Sequence, residues 1–268
     1  MVPALVLTAG IGARLDPITR LVAKPAVPLA GQPLIERVLA GLVRRGVTDT
    51  VLNLHHRPES ITAVVGDGAH LGVRVRYSWE GVLLGSAGGP RHALSLLGGD
   101  AFLIVNGDTW CDVNLATLLA AHQTTGADVT LAVVPAFALD RYGSIEADAS
   151  GRIGAFRQKG ALTPGWHFVG VQVVRASVFA ALPDNVPAET IAGLYRERLE
   201  AGADLRVWQT DASFVDVGTP ADYLEAARRL GTTGSIVWPE ARIATGAVLE
   251  DCIVAGRVEV PASLRARR

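Results

Sequence analysis

The sequence predicts an α/β protein in which a mixed, mostly parallel sheet is flanked by helices and followed by a short tail of a different kind. Three observations lead there. Short apolar runs of strand length alternate with amphipathic stretches of helical spacing through the first half of the chain. The first of these runs ends in a glycine-rich turn, the pattern of a buried parallel strand feeding a loop. Beyond residue 230 the apolar residues change to a spacing of six.

Taken in order, Val2–Thr8 reads as the first strand. A helix follows, because Leu34, Ile35, Val38, Leu39, Leu42 and Val43 share one face, Arg37, Arg44 and Arg45 point outward, and Gly46 supplies the stop. Thr50–Leu54 reads as a strand, Pro58–Val65 as a helix entered by proline, Val73–Ser78 as a strand, Gly89–Leu97 as a helix and Phe102–Val105 as a buried strand. Parallel strands with right-handed crossovers follow from this alternation, and ligands in open sheets of this kind bind at the carboxyl ends of strands. The loops after Thr8 and Val105 are therefore the places to search. The second half is less regular: a strand at Asp128–Val134, a hairpin across Asp148–Gly151, a strand at Phe168–Val174, helices at Pro187–Ala201 and Pro220–Leu230, and between them a strand at Leu205–Gln209 and the segment Phe214–Thr219.

The core domain is expected to span residues 1–230 and the tail 231–268. Val237, Ile243, Leu249 and Ala255 recur every six residues in the tail, with Ala241, Ala247 and Ile253 alongside. That period predicts a short left-handed parallel β-helix of about one and a half coils. So short a solenoid must bury its faces on the core domain or on another subunit, which makes a homo-oligomer through the tail an expectation.

Composition excludes several classes. With 268 residues, 49% of them hydrophobic, the chain is long enough for a full core and is not disordered as a whole. A net charge of −1 leaves no excess cation for nucleic acid or anionic membrane. Cys111 and Cys252 match neither a disulfide framework nor zinc-ligand spacing, and the N-terminal apolar run is too short for a membrane span, so a cytoplasmic location is expected. The 25 basic residues include only two lysines, Lys24 and Lys159.

Chemistry concentrates in a few stretches. After the first strand come Gly10-Ile11-Gly12-Ala13-Arg14-Leu15, Asp16-Pro17-Ile18-Thr19 and Ala23-Lys24-Pro25. Glycines at 10 and 12 allow the backbone close to a ligand, turn N–H groups form an anion-binding concavity, and Arg14 and Lys24 add positive charge, together a triphosphate cradle. A dinucleotide fingerprint would need glycine at Leu15 and a P-loop would need Gly-Lys-Ser/Thr, and neither is present. Asp108 follows the strand at Phe102–Val105, and Asp216 lies in Val215-Asp216-Val217-Gly218-Thr219 before a helix. An isolated aspartate beside Gly or Pro more often caps a helix or forms a turn. Two carboxylates at such loops also suit Mg²⁺, which needs only one or two of them plus phosphates.

In these motifs the chain resembles the sugar-1-phosphate nucleotidyltransferases, whose signature is Gly-x-Gly-Thr-Arg-Leu, Pro-Leu-Thr and Pro-Lys-Pro; Ala13 stands in place of the Thr and Ala23 in place of the first Pro. The resemblance implies a Rossmann-like fold of the nucleotide-diphospho-sugar transferase type. It also implies that Gly10, Gly12, Arg14 and Lys24 bind the nucleoside triphosphate, with Arg14 and Lys24 stabilising departing pyrophosphate. Leu84-Gly85-Ser86-Ala87-Gly88-Gly89 is similar to the family's base-reading loop, so Gly85, Ser86, Ala87 and Gly88 are implied to contact the base. Tyr142, Gly143, Gln158, Lys159 and Gly170 match the region that holds the sugar phosphate, with Gln158 in place of the usual Glu. For Trp166 and His167, core packing is expected, with sugar contact as the alternative. The catalytic residues implied are Arg14, Lys24 and Asp108; Asp108 and Asp216 hold Mg²⁺. The partners implied are an NTP and a sugar-1-phosphate, GTP with mannose-1-phosphate being the expectation and UTP with N-acetylmuramate-1-phosphate or another hexose-1-phosphate the alternative. A non-catalytic nucleotide-sugar-binding subunit is the alternative of another class.

Overall fold

The computed structural model describes residues 2–161 and 165–267; Met1 and Arg268, the outer limits of the two expected domains, lie outside the described residues. The chain opens with β1 (Ala4–Leu7), a loop of three 3-10 turns, and a small hairpin of β2 (Pro28–Leu29) and β3 (Gln32–Pro33). Then come α1 (Leu34–Arg44), β4 (Asp49–Leu54), α2 (Pro58–Val65), β5 (Arg74–Trp79), α3 (Gly85–Leu97), β6 (Ala101–Asn106) and β7 (Thr109–Cys111). The face of α1 read from the sequence is the buried one.

Helix α3 starts at Gly85 rather than the expected Gly89. Its first turn is all small residues with poor helix propensity, and the structure supplies an external partner: Ala87 and Gly88 donate their N–H groups to the Ala188 carbonyl at 2.8 and 3.2 Å. Helix α4 (Leu115–Thr125) was not foreseen, since its apolar residues do not form a clear stripe. It is capped by the Asn114 side chain, which accepts from Thr117 N–H.

The second half adds β8 (Val129–Pro135), the hairpin of β9 (Ser144–Ala147) and β10 (Ile153–Arg157), and the long β11 (Trp166–Arg175). Then follow α5 (Ser177–Ala180), a π turn at Thr190–Leu194, α6 (Tyr195–Glu200), β12 (Leu205–Gln209), β13 (Phe214–Asp216) and α7 (Pro220–Arg229). The helix expected from Pro187 begins only at Thr190. Ala188 instead pairs with the residues before α3, donating its N–H to the Leu84 carbonyl at 2.9 Å.

In the main sheet β5, β4, β1 and β6 are neighbours in parallel, and β11 runs antiparallel to β6. On its far side β11 pairs with β8, which pairs in parallel with β12, and the β9–β10 hairpin joins the start of β11. Both faces are buried: Leu5, Val51 and Ile104 pack into one core, while Val6, Leu52 and Val105 pack into the other. This two-sided burial explains why the central strands read as continuous apolar runs. All parallel strands of the first half end on one side, and the site lies there.

The tail forms β14 (Ile236–Val237), β15 (Arg242–Ile243), β16 (Val248–Glu250), β17 (Ile253–Val254), β18 (Glu259–Val260) and β19 (Arg265–Arg267). Ile236 pairs with Ile253, Arg242 with Glu259 and Val248 with Arg265, all in parallel and all 17 positions apart. That offset is close to three six-residue steps, and it stacks two coils of three short strands where about one and a half coils were expected. Of the expected positions, Val237 and Ile243 are 42% and 38% exposed, whereas Ala241, Ala247, Leu249, Ile253 and Ala255 are partly buried, Ile253 and Ala255 against the core. Ile236 and Trp238 on either side of Val237 are buried, since neighbouring side chains in a short strand face opposite ways. The coil packs on the core domain, where Trp238 Nε1 donates to the Tyr223 hydroxyl at 3.1 Å and Arg228 pairs with Asp251 at 2.7 Å.

Candidate active site

A cleft of about 500 Å³ runs along the carboxyl ends of β1 and β6. At one end lies the loop after β1. A side chain at Gly10 would meet nothing within 4 Å, so the backbone there is open to a ligand. Gly12 has φ +68°, and a Cβ on it would fall 2.8 Å from Thr19 and 3.2 Å from Lys24, so only glycine lets the loop fold down over the lysine. Arg14 is exposed in the cleft and makes no ion pair among the described residues. Lys24 is 6% exposed, and its ammonium lies 2.6 Å from an oxygen of Asp108 and 3.9 Å from one of Asp216.

Those two aspartates are 108 positions apart in sequence and are joined by a two-stranded ladder. β7 and β13 pair antiparallel with Thr109 opposite Asp216, and Val217 N–H donates to the Asp108 carbonyl at 3.1 Å. Burial, then the neighbouring Asp108 carboxylate, push the Asp216 carboxyl above the usual range, against the pull of Lys24 and Arg14. Two acceptor groups facing one shared cation are a donor set that a divalent metal fits. Among the described residues no cluster of three or more metal-ligating side chains occurs, so such a metal would draw its remaining ligands from substrate phosphates and water.

At the other end of the cleft are Leu83, Gly85, Ser86 and Glu189. The Ser86 hydroxyl donates to Glu189 at 2.5 Å and accepts from Thr190 N–H at 2.8 Å. Ala87 is fully buried and Gly88 is turned toward the Val186 carbonyl, so neither lines the cleft. The strap at 186–190 accounts for glycine at positions 85 and 88, where a Cβ would come within 2.6 Å of Glu189 and of Val186 respectively. A buried polar chain joins the two ends. Thr8 N–H donates to the Asn53 side chain at 2.7 Å, Asn53 donates to Glu80 at 2.7 Å, and Glu80 accepts from Leu84 N–H at 2.9 Å. Sequence reading missed Asn53, Glu80 and Glu189, because nothing local marks a contact made across the sheet.

A second compartment of about 190 Å³ opens beside the first and shares Arg14, Asn106 and Asp108 with it. Tyr142, His167, Gly170, Phe214 and Asp216 also line it. Gly170 has φ +84° within a break in the β11 register between Phe168 and Gln172, and a Cβ there would lie 3.1 Å from Asn106. This bulge turns consecutive residues of β11 toward one space. Gly143 instead packs on the Arg157 carbonyl, and Gln158 and Lys159 are exposed and line neither compartment. The structure thus brings together Gly10, Gly12, Arg14, Lys24, Gly85, Ser86, Asp108, Tyr142, Gly170 and Asp216, and leaves Ala87, Gly88, Gly143, Gln158 and Lys159 outside.

A glycine loop with two cations, a carboxylate pair and an adjoining second compartment at the strand ends mark an α/β protein of the nucleotidyltransferase class. The chain belongs to the Nucleotidyl transferase family, whose sequence profile it matches over residues 3–233. It is 32% identical over 235 residues to mannose-1-phosphate guanylyltransferase of Mycobacterium tuberculosis, a match covering 85% of this chain and 64% of that one. It is 29% identical to a UTP–glucose-1-phosphate uridylyltransferase of Synechocystis, covering 84% of this chain and 62% of the relative. It is also 29% identical to D-glycero-alpha-D-manno-heptose 1-phosphate guanylyltransferase of Aneurinibacillus thermoaerophilus, covering 85% and 97%. The chain therefore spans under two thirds of the length of the first two relatives. Among solved structures, HddC of Yersinia pseudotuberculosis complexed with GMP-PN superposes with a TM-score of 0.76 at 23% identity, covering 86% of this chain and all of that one, a likeness of fold. Among the described residues, no helix is long and apolar enough to cross a membrane.

Proposed function

We propose that the chain transfers a nucleotidyl group from a nucleoside triphosphate to a sugar-1-phosphate, giving a nucleotide-sugar and pyrophosphate. The observation that carries this reading is the junction of the two compartments at Arg14, Asn106 and Asp108, where the α-phosphate of one ligand and the phosphate of the other would meet. In-line attack of a sugar-phosphate oxygen on the α-phosphorus forms one P–O bond and breaks the bond to pyrophosphate. The nucleophile is already an anion at neutral pH, so no general base is needed. The work left to the protein is alignment and charge neutralisation. Backbone N–H groups of the Gly10–Gly12 turn and the Arg14 guanidinium bind the triphosphate, and Lys24 offers its buried ammonium to the oxygens that gain charge as pyrophosphate leaves. Asp108 and Asp216 would hold Mg²⁺, which supplies neutralisation of the phosphate oxygens.

GTP is the proposed nucleotide and mannose-1-phosphate or a close relative the proposed acceptor. Both the Mycobacterium tuberculosis and the Aneurinibacillus relatives are named as guanylyltransferases acting on such 1-phosphates, while UTP is the alternative that the Synechocystis relative supports. The boundary near residue 230 belongs to the same proposal and is supported by the change from core to coil between Arg229 and Ile236. Assembly of copies through the tail is supported by the exposed Val237, Ile243, Val248 and Leu264, and sedimentation of the full chain tests it. The activity is tested by pyrophosphate release with Mg²⁺, each NTP and a panel of sugar-1-phosphates. Absence of release with every pair refutes it.

A further inference from the structure

Among the polar side chains that line the second compartment, His167 is one to which the reaction itself assigns no use. His167 lies on β11 just before the bulge at Gly170 and lines that compartment. Three rings surround its imidazole: Phe137 and Tyr142 with centroids at 4.8 Å, and Phe214 stacked at 5.4 Å. Among the described residues neither ring nitrogen has a hydrogen-bond partner, although the ring is mostly buried. Desolvation pushes its pKa down to about 4, so the imidazole is neutral at physiological pH and presents one donor and one acceptor.

The part-buried imidazole keeps both nitrogens free of partners among the described residues, so a ligand hydroxyl that displaces water there gains a hydrogen bond at the edge of an apolar wall. Of the charged groups of the compartment, Arg14 and Asp108 also line the first cleft, Asp108 and Asp216 face Lys24, and the proposed reaction uses all three on phosphate or metal. Gln158 and Lys159 do not reach the compartment. Recognition of the sugar ring itself therefore falls to uncharged polar groups on its wall, Asn106, Thr109, Tyr142 and His167, and of these His167 is packed against three aromatic rings.

We propose that His167 determines acceptor specificity by hydrogen-bonding a ring hydroxyl of the sugar phosphate through a neutral imidazole, the surrounding aromatic rings fixing its orientation. This rests on the nucleotidyl-transfer reading above. Selection would then favour sugars that carry a hydroxyl at the position the imidazole reaches and would disfavour analogues lacking it.

The test uses His167→Phe, which keeps the aromatic packing and removes the hydrogen bond, and His167→Gln, which keeps a donor and an acceptor. The wild-type chain with Mg²⁺ and saturating NTP is measured with its best sugar-1-phosphate and with each monodeoxy analogue. The expected result for His167→Phe is a loss of about tenfold in kcat/KM for the acceptor, carried by KM, at unchanged KM for the NTP. One deoxy analogue should lose a similar factor with the wild type and nothing further with His167→Phe, while His167→Gln recovers part of the loss. Deoxy penalties that are the same in wild type and His167→Phe at every position overturn the proposal, as does an equal rise in both KM values, the mark of a merely loosened fold. If His167→Phe does not fold, His167→Leu, which also lacks a donor and an acceptor, takes its place, and deoxy penalties equal to those of the wild type at every position overturn the proposal in the same way. Absence of pyrophosphate release by the wild type with any pair of substrates refutes the nucleotidyl-transfer reading, and this inference falls with it.

Discussion

Replacing Lys24 by Met removes the one buried cation of the site while keeping the length of the side chain. Its ammonium stands 3.9 Å from Asp216 and closer still to Asp108, and at an effective dielectric of ~20 a unit pair at that separation interacts by about 4 kcal/mol. Partial exposure of the two carboxylates, 36% for Asp108 and 21% for Asp216, screens this toward the lower end. Loss of one preorganised charge at the leaving group costs about 10²–10³ in kcat, and Lys24→Met is expected within that range. Lys24→Arg keeps the charge, but the guanidinium must enter a slot where Lys24 is 6% exposed and packed beneath Gly12, so a loss of about tenfold is expected. The assay is steady-state pyrophosphate release at saturating substrates, with circular dichroism melts to confirm the fold. Lys24→Met turnover within about threefold of wild type, under ~1 kcal/mol of barrier, would refute the role given to the ammonium.

Three further outcomes follow from local geometry. Gly12→Ala places a Cβ 2.8 Å from Thr19 at φ +68°; a rise in KM for the NTP and a stability loss of about 1–3 kcal/mol in urea unfolding are expected, with little change in acceptor KM once the loop is saturated. Trp238→Ala empties a buried position in the tail and removes the donor to Tyr223, so about 3–5 kcal/mol of stability should be lost, read by the denaturation midpoint. His167 is neutral in the fold with its pKa lowered from 6.5 to about 4, so its contribution to stability is fully present above pH 6.5 and is lost as pH falls toward 4. Discounted for partial exposure, the loss should be about 1–3 kcal/mol, and the difference between wild type and His167→Phe in urea unfolding at pH 7 and pH 4.5 measures it; a difference independent of pH contradicts the assignment.

Much of this architecture was legible in the residues. The helix at 34–44 repeats one period over three turns, and the strands around Leu5, Leu52 and Ile104 are apolar runs bounded by turn residues, patterns that burial dictates. Elements set by distant partners were not legible. The first turn of α3 depends on the Ala188 carbonyl, and the delayed start of the helix before α6 depends on the same pairing. In the tail the period was readable, but at Val237 and Ile243 the expected apolar side chain is exposed, and beside Val237 the buried residues are Ile236 and Trp238, since period alone does not say which of two neighbours faces inward. The same division holds at the site. Gly12, Arg14, Lys24, Asp108 and Asp216 sit at strand ends, where sequence position and spatial position coincide. Asn53 and Glu189 line the cleft, and Glu80 braces Asn53 and Leu84 from behind it, through side-chain hydrogen bonds between segments far apart in sequence; Ala87, Gly88 and Lys159, placed by motif, turn away from it.

Asp108 lines both compartments, and the most direct test of the account is pyrophosphate release by the full chain with Mg²⁺, each NTP and a panel of sugar-1-phosphates, run beside Asp108→Ala. The account predicts release with GTP and a mannose-type 1-phosphate, and a folded Asp108→Ala variant slower by at least ~10². Release that is absent with every pair, or undiminished in Asp108→Ala, would contradict it.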